Sequence, residues 1–181
     1  MNKQEEVLAL FFKEPTKHWH FEEVLTQAKI SRPQASQWLK KFTQEGLVRR
    51  IKPLHKMPHY IADYDKPAYR IKKRIYTMTI LYQSGLTTHL MTLPQAKTVI
   101  IFGSFSRADW YEESDIDIFI YGSPAGLETK KYESALHREI QVFNAQTIQD
   151  FKKMGEGLLL NILKGQVIKG NPNFLAVKLH A

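Results

Sequence analysis

Between residues 103 and 117 the chain sets out groups suited to holding a phosphate beside a cation. Gly103-Ser104 follows the apolar run Thr98-Val99-Ile100-Ile101-Phe102, and after ten intervening residues Asp115-Ile116-Asp117 opens a second apolar run. Carboxylates at i and i+2 on a strand project from one face, about 7 Å apart along the backbone, so their oxygens can converge on shared cations. Mg²⁺ takes one or two carboxylates together with substrate phosphate oxygens in preference to an all-protein cage. Cations held in this way can clamp both the attacking and the leaving oxygen of a phosphoryl transfer. Gly103 allows close backbone approach at the end of a buried strand, and Ser104 opens a helix whose free N–H groups face a phosphate. Arg107, one turn further on, supplies a guanidinium for phosphate charge. A surface Asp-x-Asp is commonly just solvated, and a strand-Gly-Ser-helix turn is commonly only a turn. Their joint occurrence at this spacing is what is specific.

These groups need elements to position them. Residues 98–102 read as a buried strand, an apolar run closed by glycine. From Ile116 to Tyr121 the pattern alternates, with Asp115, Asp117, Phe119 and Tyr121 on one face and Ile116, Ile118 and Ile120 on the other. A helix over 126–137 leads to a further alternating strand, Glu139-Ile140-Gln141-Val142-Phe143. Short helices over 147–153 and 156–164 and a strand Gln166-Val167-Ile168 complete this half.

The segment Phe102-Gly103-Ser104-Phe105-Ser106-Arg107 with Ser114-Asp115-Ile116-Asp117-Ile118 resembles the minimal nucleotidyltransferases of the DNA polymerase beta superfamily. The motif covers residues 98–121, and the wider resemblance spans 94–170. It implies a small mixed sheet with helices packed on one face. It implies that Gly103 and Ser104 hold the phosphates of an NTP, ATP foremost, with Arg107 and Ser114 in the nucleotide-binding set. Asp115 and Asp117 are then the ligands of Mg²⁺ or Mn²⁺ and, with a third carboxylate, the catalytic set. That third group normally lies on a later strand in an apolar-acidic-apolar context. The matching place here is Ile140-Gln141-Val142, centred on a glutamine. Glu139, on the same strand face, takes the catalytic part if the register shifts. Some minimal nucleotidyltransferases resemble antitoxins that adenylylate a partner toxin, which makes a protein one class of acceptor.

The first third of the chain has a different character. Residues 1–60 hold 11 Lys and Arg against 6 Asp and Glu, so most of the chain's formal net charge of +8 sits here. Helical patterns run over 3–13, stopped by Glu14-Pro15, and over Phe21–Ala28. His18 to Phe21 reads as extended. Ser31 is an N-cap for a third helix with Ala35, Leu39 and Phe42 on its buried stripe, and Gly46 ends it. A strand over 47–51, a turn over 53–58 and a strand over 59–62 follow. Residues 4–62 resemble a winged helix-turn-helix. In that resemblance Arg32, Gln34, Ser36, Gln37, Lys40 and Lys41 are exposed on the third helix and, with Arg49 and Arg50 of the hairpin, bind DNA. Gln and Ser read base edges, while Arg and Lys hold phosphates. The alternative use of such a module is protein contact or dimerisation. His18 and His20 lack an evident third metal ligand, and His55 and His59 read as turn residues or phosphate neighbours.

The expected architecture is therefore α+β, with a winged helix-turn-helix over 1–62, a connecting helix over 63–93 and a nucleotidyltransferase domain over 94–181. The connecting helix carries Ile71, Ile75, Met78 and Tyr82 in one apolar stripe, expected to join the domains or a second subunit in a homodimer. No apolar run approaches the roughly 20 residues that span a bilayer, so no membrane partner is expected. With no cysteine, disulfides and thiolate zinc sites are excluded, and a cytoplasmic home is expected. Two functions compete: Mg²⁺-dependent transfer of NMP from an NTP to an acceptor, and a DNA-binding regulator whose nucleotidyltransferase domain binds nucleotide with weak or no catalysis.

Overall fold

The computed structural model describes residues 2–173; Met1 and residues 174–181, the end of the domain drawn to 181, lie outside the described residues. The chain forms two compact units, one of residues Met1–Ile75 with Trp110–Glu112, the other of Tyr76–Asp109 with Glu113–Ala181.

The first unit opens with helix α1, Lys3–Lys13, started by a capping box. The Glu5 N–H donates to Asn2 Oδ1 at 2.9 Å, and the Asn2 N–H donates to Glu5 Oε2 at 3.1 Å. Strand β1 (Trp19–His20), α2 (Phe21–Ala28), α3 (Arg32–Gln44), β2 (Val48–Ile51) and β3 (His59–Ala62) follow. The three strands form an antiparallel sheet in the order β1-β3-β2. Val7, Phe11, Phe12, Val24, Ala35, Leu39 and Phe42 are buried. On α3 the spacing that puts Ala35, Leu39 and Phe42 inside leaves every candidate DNA-contacting side chain of that helix exposed.

The end of α1 shows how this unit closes. The last four carbonyls of a helix lack intrahelical partners. Here the Leu10 carbonyl accepts from the Glu14 N–H, Phe11 from the Tyr69 hydroxyl at 2.8 Å, Phe12 from Lys73 Nζ at 2.8 Å, and Lys13 from the Glu112 N–H at 2.9 Å. Lys73 Nζ also donates to the Trp110 carbonyl and lies 4.4 Å from the centre of the Trp110 ring. A lysine that is only 2% exposed is tolerated because its ammonium meets oxygens and a π face, at the negative end of a helix. Burial pushes the Tyr69 phenol well above its usual range.

Lys73 and Tyr69 lie on α4, Pro67–Gln83, and decide which face of it is buried. Tyr69, Lys73, Thr77 and Leu81 are buried. Of the apolar stripe expected to join the domains or a second subunit, Ile71 is 62%, Ile75 57% and Tyr82 70% exposed, and Met78 is partly buried. Hydrogen bonds to carbonyls hold a tyrosine and a lysine inside on a different face of the helix.

The second unit contains α5 (Leu86–Thr92), β4 (Ala96–Phe102), α6 (Gly103–Arg107), β5 (Ile116–Gly122), α7 (Thr129–Leu136), β6 (Ile140–Ala145), α8 (Ile148–Lys152), α9 (Glu156–Leu163) and β7 (Gln166–Lys169). Its sheet runs β6-β5-β4-β7, with β5 and β6 parallel and the other neighbours antiparallel. This is the mixed sheet expected. Phe119 packs in a cluster with Ile100, Phe102, Phe151, Leu159 and Ile162. Ile116, Ile118 and Ile120 are buried too, so β5 is covered on both faces. Helix α7 starts later than expected, because Leu127 N–H donates to Pro124 C=O and residues 124–127 form a turn, with Gly126 at φ +91°.

Candidate active site

The site is built where β4 ends and β5 begins. Phe102 pairs with Asp117 across the antiparallel ladder, so Gly103 leaves the sheet directly beside the Asp117 side chain. Gly103 has φ +68°, a conformation that favours glycine. A Cβ there would lie 2.1 Å from Asp117 Oδ2. The glycine therefore does two things: it turns the chain into α6, and it leaves room for the carboxylate.

On the other side β6 runs parallel to β5, in a register that sets Gln141 opposite Asp117. Gln141 Nε2 donates to Asp115 Oδ2 at 2.6 Å. Of the two candidates for the third position, the glutamine meets the carboxylate pair. Glu139 contributes its backbone carbonyl to the Ile116 N–H at 2.9 Å. Its carboxylate is exposed and adds a small attraction to the Lys130 ammonium, which is held charged chiefly by its hydrogen bond to Glu133.

Burial raises the Asp117 carboxyl above its usual range, the adjacent charge of Asp115 raises it further, and the Arg107 guanidinium opposes both. A half-buried carboxylate beside a second one is short of positive charge, which a divalent cation supplies. The donor set fits one such ion, with two carboxylates at hand and an amide beside them. Among the described residues no group of three or more His, Cys, Asp or Glu side chains is placed to hold a metal.

Arg107 is fixed at the edge of this site. Its Nε donates to Asp109 Oδ2 at 2.8 Å and its Nη1 to Asn161 Oδ1 at 2.9 Å. Ser104 is half-buried in the first turn of α6, and its carbonyl accepts from the Ala108 and Asp109 N–H groups. Ser114 is reached through its backbone: Arg138 Nη1 donates to the Ser114 carbonyl at 2.8 Å, with the guanidinium 5.1 Å from the centre of the Phe105 ring. Asn161, Asp109 and Arg138 were not picked out from the sequence. Asn161 is 54 residues from Arg107, and no local pattern marks it.

In the first unit, Arg32, Gln34, Ser36, Gln37, Lys40, Lys41, Arg49 and Arg50 are all exposed. Several have partners within the unit. Arg32 meets Glu22 at 2.6 Å, Arg49 meets Asp63 at 3.1 Å, Lys41 lies 3.9 Å from Glu45, and Gln34 Oε1 accepts from the Ser31 N–H at 3.0 Å. The histidines His18, His20 and His59 come together. The rings of His18 and His59 stack at 4.3 Å, and the ring of His20 stands 6.1 Å from that of His59. Stacked rings oppose their faces and do not converge their nitrogen lone pairs, which suits mutual packing and not ligation.

Residues 85–173 match the family described as polymerase beta, nucleotidyltransferase. That stretch is a nucleotidyltransferase-superfamily domain, and it contains every group of the site just described. A solved chain of a mutant MntA–HpeT toxin–antitoxin is similar at 15% identity and a TM-score of 0.35, over 57% of this chain and 78% of that one. No curated protein matches the chain. Among the described residues no helix is long and apolar enough to cross a membrane.

Proposed function

We propose that the chain is a Mg²⁺- or Mn²⁺-dependent nucleotidyltransferase that uses an NTP, ATP foremost, and works with a DNA-binding winged helix formed by residues 1–62. The observation that carries this reading is the Asp117 carboxylate set against the Gly103 turn, with Asp115 beside it, inside a nucleotidyltransferase domain. Asp115 and Asp117 would hold the cation, Gly103 and Ser104 the phosphates, and Arg107 the charge that gathers on the leaving group. The bound cation supplies charge neutralisation at the phosphates. The acceptor's hydroxyl or amine attacks the α-phosphorus, the bond to the β-phosphate oxygen breaks, pyrophosphate leaves, and the acceptor's proton passes to water. A partner protein such as a toxin is the acceptor class that the sequence resemblance favours. ATP labelled at its α-phosphate, incubated with Mg²⁺ and candidate acceptors, should leave label on one of them. No transfer from any NTP would remove the enzymatic reading.

A second reading is favoured by one observation. Gln141, a neutral amide, occupies the β6 position facing Asp115 and Asp117, and it is no general base. On this reading the domain binds nucleotide without turnover, and the protein is a DNA-binding regulator. Sequence-dependent DNA binding that changes with NTP and Mg²⁺, in the absence of label transfer, is its signature. Binding governed by salt alone would leave only electrostatics.

A further inference from the structure

We propose that this site accepts a single divalent cation, carried in with the nucleotide, and that Gln141 is the residue that sets this number. The inference rests on the nucleotide-binding reading above and goes on to say how many ions that reading involves.

The oxygens available make the case. Asp115 and Asp117 offer four carboxylate oxygens. Asp115 Oδ2 already accepts the Gln141 amide at 2.6 Å. Asp117 Oδ2 stands against Gly103, in the space a Cβ would fill. Among the described residues no third acidic or histidine side chain joins these two carboxylates to hold a metal. Two carboxylates are the complement Mg²⁺ takes when the remainder of its octahedron is water and phosphate oxygen. Two ions about 3.5–4 Å apart need a carboxylate that bridges with both oxygens and further anionic ligands beyond it.

Gln141 withholds both requirements. In the parallel register it lies opposite Asp117, where an added carboxylate would complete a second coordination sphere. The amide nitrogen has no lone pair for a metal, and the amide oxygen brings no negative charge to a second one. By donating to Asp115 it also keeps one oxygen of that carboxylate engaged.

The test counts ions. The full chain is titrated with Mn²⁺ in the presence of a saturating non-hydrolysable ATP analogue, and protein-retained Mn²⁺ is read by electron paramagnetic resonance. One ion per chain is expected for the wild type and for Gln141→Ala. Gln141→Glu replaces the amide by a carboxylate and is expected to retain two. Circular dichroism confirms that each variant is folded, and Gln141→Asp repeats the experiment with a shorter carboxylate if Gln141→Glu is not. Two ions on the wild type, or one ion on the folded carboxylate variants with the analogue bound, overturns the proposal and leaves the nucleotide reading standing. No retention of analogue or Mn²⁺ by the folded wild type overturns both.

Discussion

The acidic site of the second unit and the basic face of the first manage charge in opposite ways. Around Gly103 the charge is concentrated. Two partly buried carboxylates share a space so tight that one methyl group would collide with Asp117. On α3 and β2 the charge is spread over exposed side chains, several already paired with acidic neighbours at distances from 2.6 to 3.9 Å. The exposed pairs Arg32–Glu22 and Lys41–Glu45 contribute roughly 0–1 kcal/mol each, while the Asp63 that meets Arg49 is buried. A concentrated site should fail at a single atom. A dispersed surface should weaken by increments.

The sharpest way to break this contrast is Gly103→Ala. The φ of +68° and the collision with Asp117 Oδ2 should cost about 1–3 kcal/mol of stability through backbone strain and abolish nucleotide binding, as read by denaturant melts and calorimetry. A variant that still binds Mg²⁺ and ATP normally would show that the packing at Gly103 is not part of the site.

Asp117→Asn comes next. Loss of the carboxylate should weaken cation-dependent nucleotide binding on the order of 100-fold, about 3 kcal/mol. Its effect on the ligand-free protein runs the other way. The folded carboxyl is raised by burial and by Asp115, so folding takes up a proton across the carboxylate range and stability falls as pH rises through it. At neutral pH the ligand-free Asp117→Asn protein should therefore melt higher than wild type. Adding Mg²⁺ and nucleotide should reverse that order.

Smaller effects are expected on the basic face. Lys40→Ala and Arg50→Ala should each reduce DNA affinity a few-fold. Each should also lower the slope of log affinity against log salt by about 0.9 for every phosphate that the removed side chain neutralised. A single substitution that abolished binding would show that this face reads DNA through one anchor and not through distributed charge.

The smallest effect concerns His59. Burial lowers its proton affinity, and His18 and His20 lower it further. The unfolded chain therefore binds this proton more readily than the folded one, and stability is lost as pH falls through the ordinary histidine range. Melting temperature should drop between about pH 7 and pH 5, and His59→Gln should flatten that drop.

The strands and helices that carry the site could be read before folding was considered, because their periods are short. The apolar run to Phe102, the alternation from Ile116 and the α3 stripe are all local patterns. Helix α4 shows where that stops. A single connecting helix over 63–93 is expected, but Gly85 at φ +81° separates α4 from α5, and Tyr69 and Lys73 go inside to meet the carbonyls of Phe11, Phe12 and Trp110. Those acceptors lie on segments distant in sequence, and a hydrophobicity pattern carries no record of them.

The same division runs through the candidate site. Residue types and spacing alone mark Gly103, Ser104, Asp115 and Asp117, because one turn and one strand put them within reach of each other. The choice between Glu139 and Gln141 is a matter of register between parallel strands joined by a helix, and an alternating strand reads equally well in either frame. Folding sets Gln141 against Asp115 and leaves the Glu139 side chain exposed. Partners such as Asn161 for Arg107 are likewise assembled only when α9 packs on the sheet. Local chemistry is written in neighbouring residues, while the number and kind of groups that surround it depend on strand register and packing between segments far apart in the chain.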